Sequence, residues 1–103
     1  MAKFLTYSSS LILRALAAGS PYGFEIMDVT GLPSGTVYPA LRSLERKGFV
    51  RARWESEAVA RSDSRPARKY YELTAAGDEE LARVVERFPG LERALPDLSA
   101  RSL

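Results

Sequence analysis

The stretch Pro33–Gly48, PSGTVYPALRSLERKG, decides how the rest of the chain is read. Val37, Leu41 and Leu44 recur at i, i+4 and i+7, one apolar face of a helix that Pro33 and Ser34 start and Gly48 stops. The opposite face carries Thr36, Arg42, Ser43 and Arg46, with Tyr38 beside them, a polar and basic surface one helix wide. Pro39 lies inside this pattern, where a proline loses a hydrogen bond and crowds the carbonyl four residues back. Two readings are open. Either Gly35, at that earlier position, relieves the strain, or the regular helix begins only near Tyr38.

From this helix the reading extends both ways. Downstream the period changes to two. Phe49, Arg51 and Arg53 alternate with Val50, Ala52 and Trp54, and Tyr71 and Leu73 alternate with Tyr70, Glu72 and Thr74, which predicts two antiparallel strands. Between them Ser56 to Pro66 holds small, charged and turn-forming residues with little to bury, so a mobile hairpin tip is expected. Thr74 then caps a helix from Ala75 to about Phe88 that Pro89 and Gly90 break. One more turn is expected at Leu91 to Leu95, and a frayed tail over Pro96 to Leu103. Upstream, Leu5, Ile12, Leu13 and Leu16 repeat at helical spacing, capped at Thr6 or a nearby serine and closed at Gly19. A short second helix is expected with Ser20 as cap, Pro21 as first residue and Gly31 at its end. Gly23 inside it costs about 1 kcal/mol relative to alanine, a cost that close packing of a crossing helix offsets.

The composition narrows the functions this fold can carry. A chain of 103 residues, 46% hydrophobic and 27% charged, is an ordinary globular domain of a size that gains from a partner subunit. With no cysteine, disulfides, a thiolate nucleophile and zinc–cysteine sites are excluded. With no histidine, the serine–histidine triad, histidine metal sites and the usual base near neutral pH are excluded as well. No paired carboxylates, phosphate loop or nucleophile motif makes Asp28, Glu25 or a serine into a hydrolase or transferase site, so neither an enzyme nor a cofactor is expected. Met1 to Tyr7 is too short an apolar run for a signal peptide, and no segment reaches the ~20 apolar residues that span a bilayer, which points to the cytoplasm. The net charge of +2 is unevenly spread: Arg42 to Lys69 holds nine basic and four acidic residues, whereas acids outnumber bases seven to four from Glu72 onward. The first stretch is a candidate polyanion footprint, and the second should face away from phosphates.

Three helices and a basic hairpin describe a winged helix-turn-helix, a mainly α fold with a small antiparallel β-hairpin, here followed by a C-terminal dimerisation helix. The third helix of that fold enters the major groove. Ser34 opens the helix with free backbone N–H groups for a phosphate, and Gly35 and Thr36 are small enough for close approach. Tyr38 and Arg42, flanking Pro39, lie within reach of base edges, with Arg42 capable of a bidentate contact to guanine. Arg61 and Arg65 at the hairpin tip suit an adjacent minor groove, and Arg68 and Lys69 at its base suit phosphates. Leu81, Val84, Val85 and Phe88 form a stripe that either covers its own domain or makes a dimer seam; little domain remains to cover, which favours the seam.

Other side chains have plainer readings. Trp54 is expected to fill a core or an interface rather than stack on a planar effector. Tyr70 and Tyr71 face opposite sides, one toward the helices and one toward solvent or DNA. Arg51 and Arg53 are open between a DNA role and a solvated strand face. A pure protein-interaction module would need an apolar or acidic third helix, unlike Thr36, Arg42 and Arg46.

Tyr22-Gly23-Phe24-Glu25-Ile26, Gly35-Thr36-Val37-Tyr38-Pro39-Ala40-Leu41 and Leu44-Glu45-Arg46-Lys47-Gly48 together resemble the PadR family of bacterial transcriptional regulators. Arg68-Lys69-Tyr70-Tyr71, Leu73-Thr74 and Gly77 extend the match in order, over roughly Leu11 to Leu81. The resemblance implies a repressor that dimerises through its C-terminal helix, Asp78 to about Phe88, often with helix one contributing. It implies a dyad-symmetric operator near a promoter, so the expected partners are double-stranded DNA in the bacterial nucleoid and a second copy of the chain. The chain then divides into a DNA-binding domain over 1–74, a dimerisation helix over 75–95 and a tail over 96–103. Two features depart from the family pattern: Asp63-Ser64 stand where a glycine often precedes the arginine–proline pair, and the C-terminal part is short, as in compact members. Some compact members hold aromatic or cationic effectors at the dimer centre, but no residue here identifies such a site.

Overall fold

Burial of apolar side chains around the first helix organises the computed structural model, which describes residues 5–93. Helix α1 (Tyr7–Ala17) is capped by Thr6, whose hydroxyl accepts the Ser9 N–H at 3.1 Å. Ser10, Leu11, Ile12, Leu13, Ala15 and Leu16 are all buried, so α1 is covered on nearly every side. Around it pack α2 (Gly23–Thr30), α3 (Ser34–Arg46) and α5 (Ala75–Arg87). Ile26, Val37, Leu41, Leu44 and Val84 supply the facing apolar surface of these helices.

Helix α2 begins later than its sequence suggests. Ser20 and Pro21 are not its cap and first residue; Tyr22 is the cap position and Gly23 the first helical residue. The Pro21 carbonyl accepts the Tyr71 N–H at 2.7 Å and Tyr22 bridges to Tyr70, so this segment is drawn onto the edge of the hairpin by an isolated bridge. Helix α2 ends at Gly31, whose φ of 75° is the left-handed conformation that glycine adopts freely. Leu32 and Pro33 then complete a tight turn into α3.

Of the two readings of Pro39, the helix from Ser34 is the one adopted: α3 runs unbroken from Ser34 to Arg46 with Pro39 inside. Gly35 and Pro39 are both exposed, so the carbonyl that Pro39 cannot bond is open to water. The helix stops at Gly48, again left-handed at 81°.

Strands β1 (Val50–Trp54) and β2 (Lys69–Leu73) pair antiparallel, with Val50 opposite Leu73, Ala52 opposite Tyr71 and Trp54 opposite Lys69. The segment between them is not the irregular tip expected. It forms a short helix, α4 (Glu57–Ser62), capped by the Ser56 hydroxyl, which accepts the Val59 N–H at 3.2 Å, and it buries Ala60. Glu55, 6% exposed, fastens this unit. Its carboxylate accepts a fork of bonds from Arg65 at 2.5 and 2.8 Å, a longer one from the Arg68 N–H at 3.3 Å and one from the Tyr70 hydroxyl at 3.4 Å. Ser64, beside Arg65, is left-handed at 55°, the conformation glycine would take at the family's usual position.

Thr74 joins the wing, α3 and α5. Its hydroxyl donates to the Gly48 carbonyl at 2.6 Å and accepts the Gly77 N–H at 3.0 Å, while its own N–H bonds the Phe49 carbonyl at 3.1 Å. Gly77 lies directly against that Phe49 carbonyl, leaving no room for a Cβ. After α5 a 3-10 turn (Leu91–Arg93) returns a fully buried Leu91 to α1. The remainder of the expected last turn, Ala94 and Leu95, and the tail over 96–103 lie outside the described residues.

Two outcomes follow from these joints. Gly77→Ala destabilises the protein by about 1–3 kcal/mol in urea unfolding, because backbone must move, even though alanine is the better helix former by about 1 kcal/mol. The Arg65 bond, opposed by burial and helped by the Arg68 N–H, holds the Glu55 carboxyl at about 2, against 4.5 unperturbed. A depressed carboxylate stabilises fully above its unfolded value and loses that contribution as pH falls toward the folded one. Acidification from about pH 4.5 to 2 therefore loosens α4 before the helical body, read from the NMR amide shifts of Ala60 and Arg65, and Glu55→Gln abolishes the wing's acid step.

Candidate nucleic-acid interface

With Val37, Leu41 and Leu44 buried, α3 turns Ser34, Gly35, Tyr38, Pro39 and Arg42 outward along one arc, which Arg46 continues. Thr36 is half-buried and lies off that arc. No side chain caps the helix, so the N–H groups of Ser34 and Gly35, first in the helix, have no intrahelical acceptor and face outward with the positive end of the dipole. Tyr38 is 38% exposed and rests its ring on Gly23, where a Cβ would come within 2.5 Å of it. The crossing helix expected to account for Gly23 is therefore α3, through this one ring. Arg42 is exposed and makes no hydrogen bond or ion pair among the described residues. Its charge is felt by the buried Tyr71 phenol, pushed up by burial and by Glu45 and Tyr38, with Arg42 opposing.

The basic residues of the wing are placed differently from one another. Lys69 extends over the Tyr71 and Trp54 rings, at 5.7 and 5.9 Å from their centroids. Arg68 lies over Tyr22 and Phe24, at 5.1 and 5.2 Å, and those two rings stack on each other at 5.4 Å. Tyr70 packs on Tyr22 at 5.2 Å, and its phenol is pushed up first by the Tyr22 hydroxyl, then by burial and Glu55. A cleft of about 190 Å³ between α2, α3 and β2 is lined by Gly23, Phe24, Tyr38, Arg68 and Lys69, among others, bringing the α3 arc and the wing base together. Arg61 is exposed on α4, 3.6 Å from Glu57. Arg65, only 20% exposed in its side chain, is turned inward onto Glu55 and Asp63. Arg51 lies 3.0 Å from Glu72 across the strands and Arg53 4.0 Å from it, a solvated strand face.

Two aromatic positions differ from expectation or were missed. Trp54 is 66% exposed, so the core reading for it fails. Tyr22 and Phe24, which clamp Arg68, carried no sequence signal beyond their place in a motif. Of the C-terminal stripe, Val84 is 3% exposed in the chain's own core and Phe88 meets Tyr7 edge-on at 5.2 Å. Leu81 and Val85 are half-buried beside a shallow groove with Ala17 of α1 and Asp78 and Ala82 of α5. The stripe thus covers its own domain along one edge and lines a groove along the other.

Among the described residues no helix is long and apolar enough to cross a membrane. The fold has close counterparts among solved structures. A PadR family transcription regulator from hypervirulent Clostridium difficile R20291 is similar at 28% identity and a TM-score of 0.70, over 85% of this chain and 93% of that one. A PadR-like transcription factor from Bacteroides fragilis shares the fold at 23% identity and a TM-score of 0.65, over 82% of each chain. A transcriptional regulator from Clostridium thermocellum does so at 22% identity and 0.64, over 84% of each. No curated protein matches the sequence. The sequence pattern of the transcriptional regulator PadR-like family matches residues 12–83, from the centre of α1 through the wing and into α5, so the chain belongs to the PadR-like family of transcriptional regulators.

Proposed function

We propose that the protein is a repressor that binds a dyad-symmetric DNA site as a homodimer, with α3 in the major groove. The observation that carries this reading is the α3 arc: N–H groups at Ser34 and Gly35 with no intrahelical acceptor, then Tyr38 and an Arg42 with no ion pair among the described residues, beside a wing base carrying Arg68 and Lys69. The N–H groups and Ser34 fix the helix on a phosphate; Tyr38 and Arg42 read base edges; Arg68 and Lys69 neutralise neighbouring phosphates. Thr36, half-buried, flanks the contact, and Pro39 stiffens its exposed side. Of the two wing-tip arginines, Arg61 is the one exposed for a minor-groove contact. Arg65 serves instead by holding the tip in shape.

The second copy docks through the α1–α5 groove, with Leu81, Ala82 and Val85 at the seam, Val84 and Phe88 bracing it from within. The DNA-binding unit is 1–74, and the helix in 75–95 sets the spacing of the two reading helices. A regulator of this kind works in the cytoplasm on the nucleoid. It represses by occupying the promoter.

Fluorescence anisotropy against a labelled duplex from upstream of its own gene, beside scrambled DNA and across a salt series, tests the reading. Preferential, salt-sensitive binding upholds it; equal weak binding to both duplexes overturns sequence-specific regulation. Arg42→Ala costs about 1–3 kcal/mol on the preferred duplex and relaxes preference, whereas Arg68→Ala weakens all sequences alike and lowers the salt slope by about one. In sedimentation velocity Ala82→Arg, at an exposed groove position, gives a folded monomer. Val84→Asp, in the core, gives an unfolded chain instead.

A further inference from the structure

We propose that Trp54 is a DNA-contacting side chain, the apolar half of the wing's grip on the duplex. The proposal rests on the DNA-binding reading above and adds a residue to it. At 66% exposure Trp54 is the most exposed large hydrophobic side chain among the described residues, ahead of Phe24 at 50%.

Its placement follows from the strand register. Val50, Ala52 and Trp54 alternate onto one face of the hairpin, opposite Leu73, Tyr71 and Lys69. The inner end of that row is fixed in the core, with Val50 and Tyr71 buried and the Tyr71 phenol close enough to sense Tyr38, Glu45 and Arg42 of α3. Trp54 therefore stands at the outer end of the face that looks toward the recognition helix. Lys69 spans the gap: its ammonium lies 5.9 Å from the indole centroid, and the same residue lines the cleft shared with Tyr38. Lys69 thus forms one wall of a concavity that Tyr38 of α3 faces, and the indole stands against the ammonium at its outer edge.

A DNA strand entering that concavity presents apolar deoxyribose faces and anionic phosphates in alternation. The indole ring packs on the sugars, its N–H donates to a phosphate oxygen, and Lys69 meets the phosphate charge. Charge complementarity favours DNA over a second copy of the chain as the occupant. Lys69 beside the indole, with Arg68 lining the same cleft, would repel the same surface of another copy.

The sequence holds a single tryptophan, so its emission reports on this side chain alone. The full chain is titrated with the unlabelled upstream duplex and its emission quenched with acrylamide, while anisotropy of the labelled duplex records binding in parallel. As the duplex binds, quenching falls several-fold and emission shifts to the blue. Trp54→Ala weakens binding roughly tenfold with the salt slope unchanged, because the indole carries no charge, and Trp54→Phe restores most of the affinity. Binding that leaves Trp54 as quenchable as before overturns the proposal while the DNA-binding reading stands. Protection present without DNA and lost on dilution assigns the indole to a contact between copies and also overturns it. Anisotropy that never rises overturns the DNA-binding reading, and this proposal with it.

Discussion

The burial of α1 on nearly all sides is the constraint from which the other placements follow. A helix with Ile12, Leu13 and Ala15 fully buried cannot rotate or slide without opening a cavity, so each neighbouring element meets a fixed surface. The Ser10 hydroxyl, buried among these side chains, donates to the Thr6 carbonyl at 2.8 Å and is not left unpaired. Against this surface α3 has one orientation, set by Val37, Leu41 and Leu44, and that orientation turns Tyr38 and Arg42 outward. The outward arc of α3 is thus a by-product of core packing. Its finer shape depends on Gly23, where the missing side chain leaves the space that the Tyr38 ring fills.

The wing is held by a different kind of force. Its far end buries little beyond Ala60, and its order comes from Glu55, Arg65, the Ser56 cap and the backbone bonds of Arg68. Buried charge is unfavourable unless geometry and hydrogen bonding are complete. Here the carboxylate is met by guanidinium, amide and phenol together. A body fixed by apolar packing and an arm fixed by an ion pair respond to different conditions: salt and acid act on the arm, loss of core volume on the body.

Much of this was legible in the sequence. Periods of 3.6 and two, with caps at Thr6 and Thr74, marked α1, α3, α5 and both strands, because those elements are governed by local spacing and one-sided burial. The misreadings came from partners distant along the chain. Ser20-Pro21 has the form of a helix start, but the Pro21 carbonyl is taken by Tyr71. Helix α4 has no apolar stripe, since what fastens it is a pair spanning Glu55 and Arg65. The same pair turns Arg65 away from the open tip. Trp54 read as core or interface filling because strand tryptophans usually have something above them; within the chain nothing covers it, because this hairpin runs out past the body. Val84 shows the converse error: α5 still has domain to cover, because α1 needs a lid.

That lid has a consequence for the order in which the molecule can be made. The surface of α1 is closed by Val84, by Phe88 against Tyr7, and by Leu91, and the Arg87 guanidinium donates to the Leu5 carbonyl at 3.2 Å. On the ribosome α1 emerges well before the residues that cover it. Helix α3 and the wing are therefore synthesised while the platform beneath them is still open. A nascent chain of this protein therefore fixes the outward arc of α3 only once α5 and Leu91 have been made.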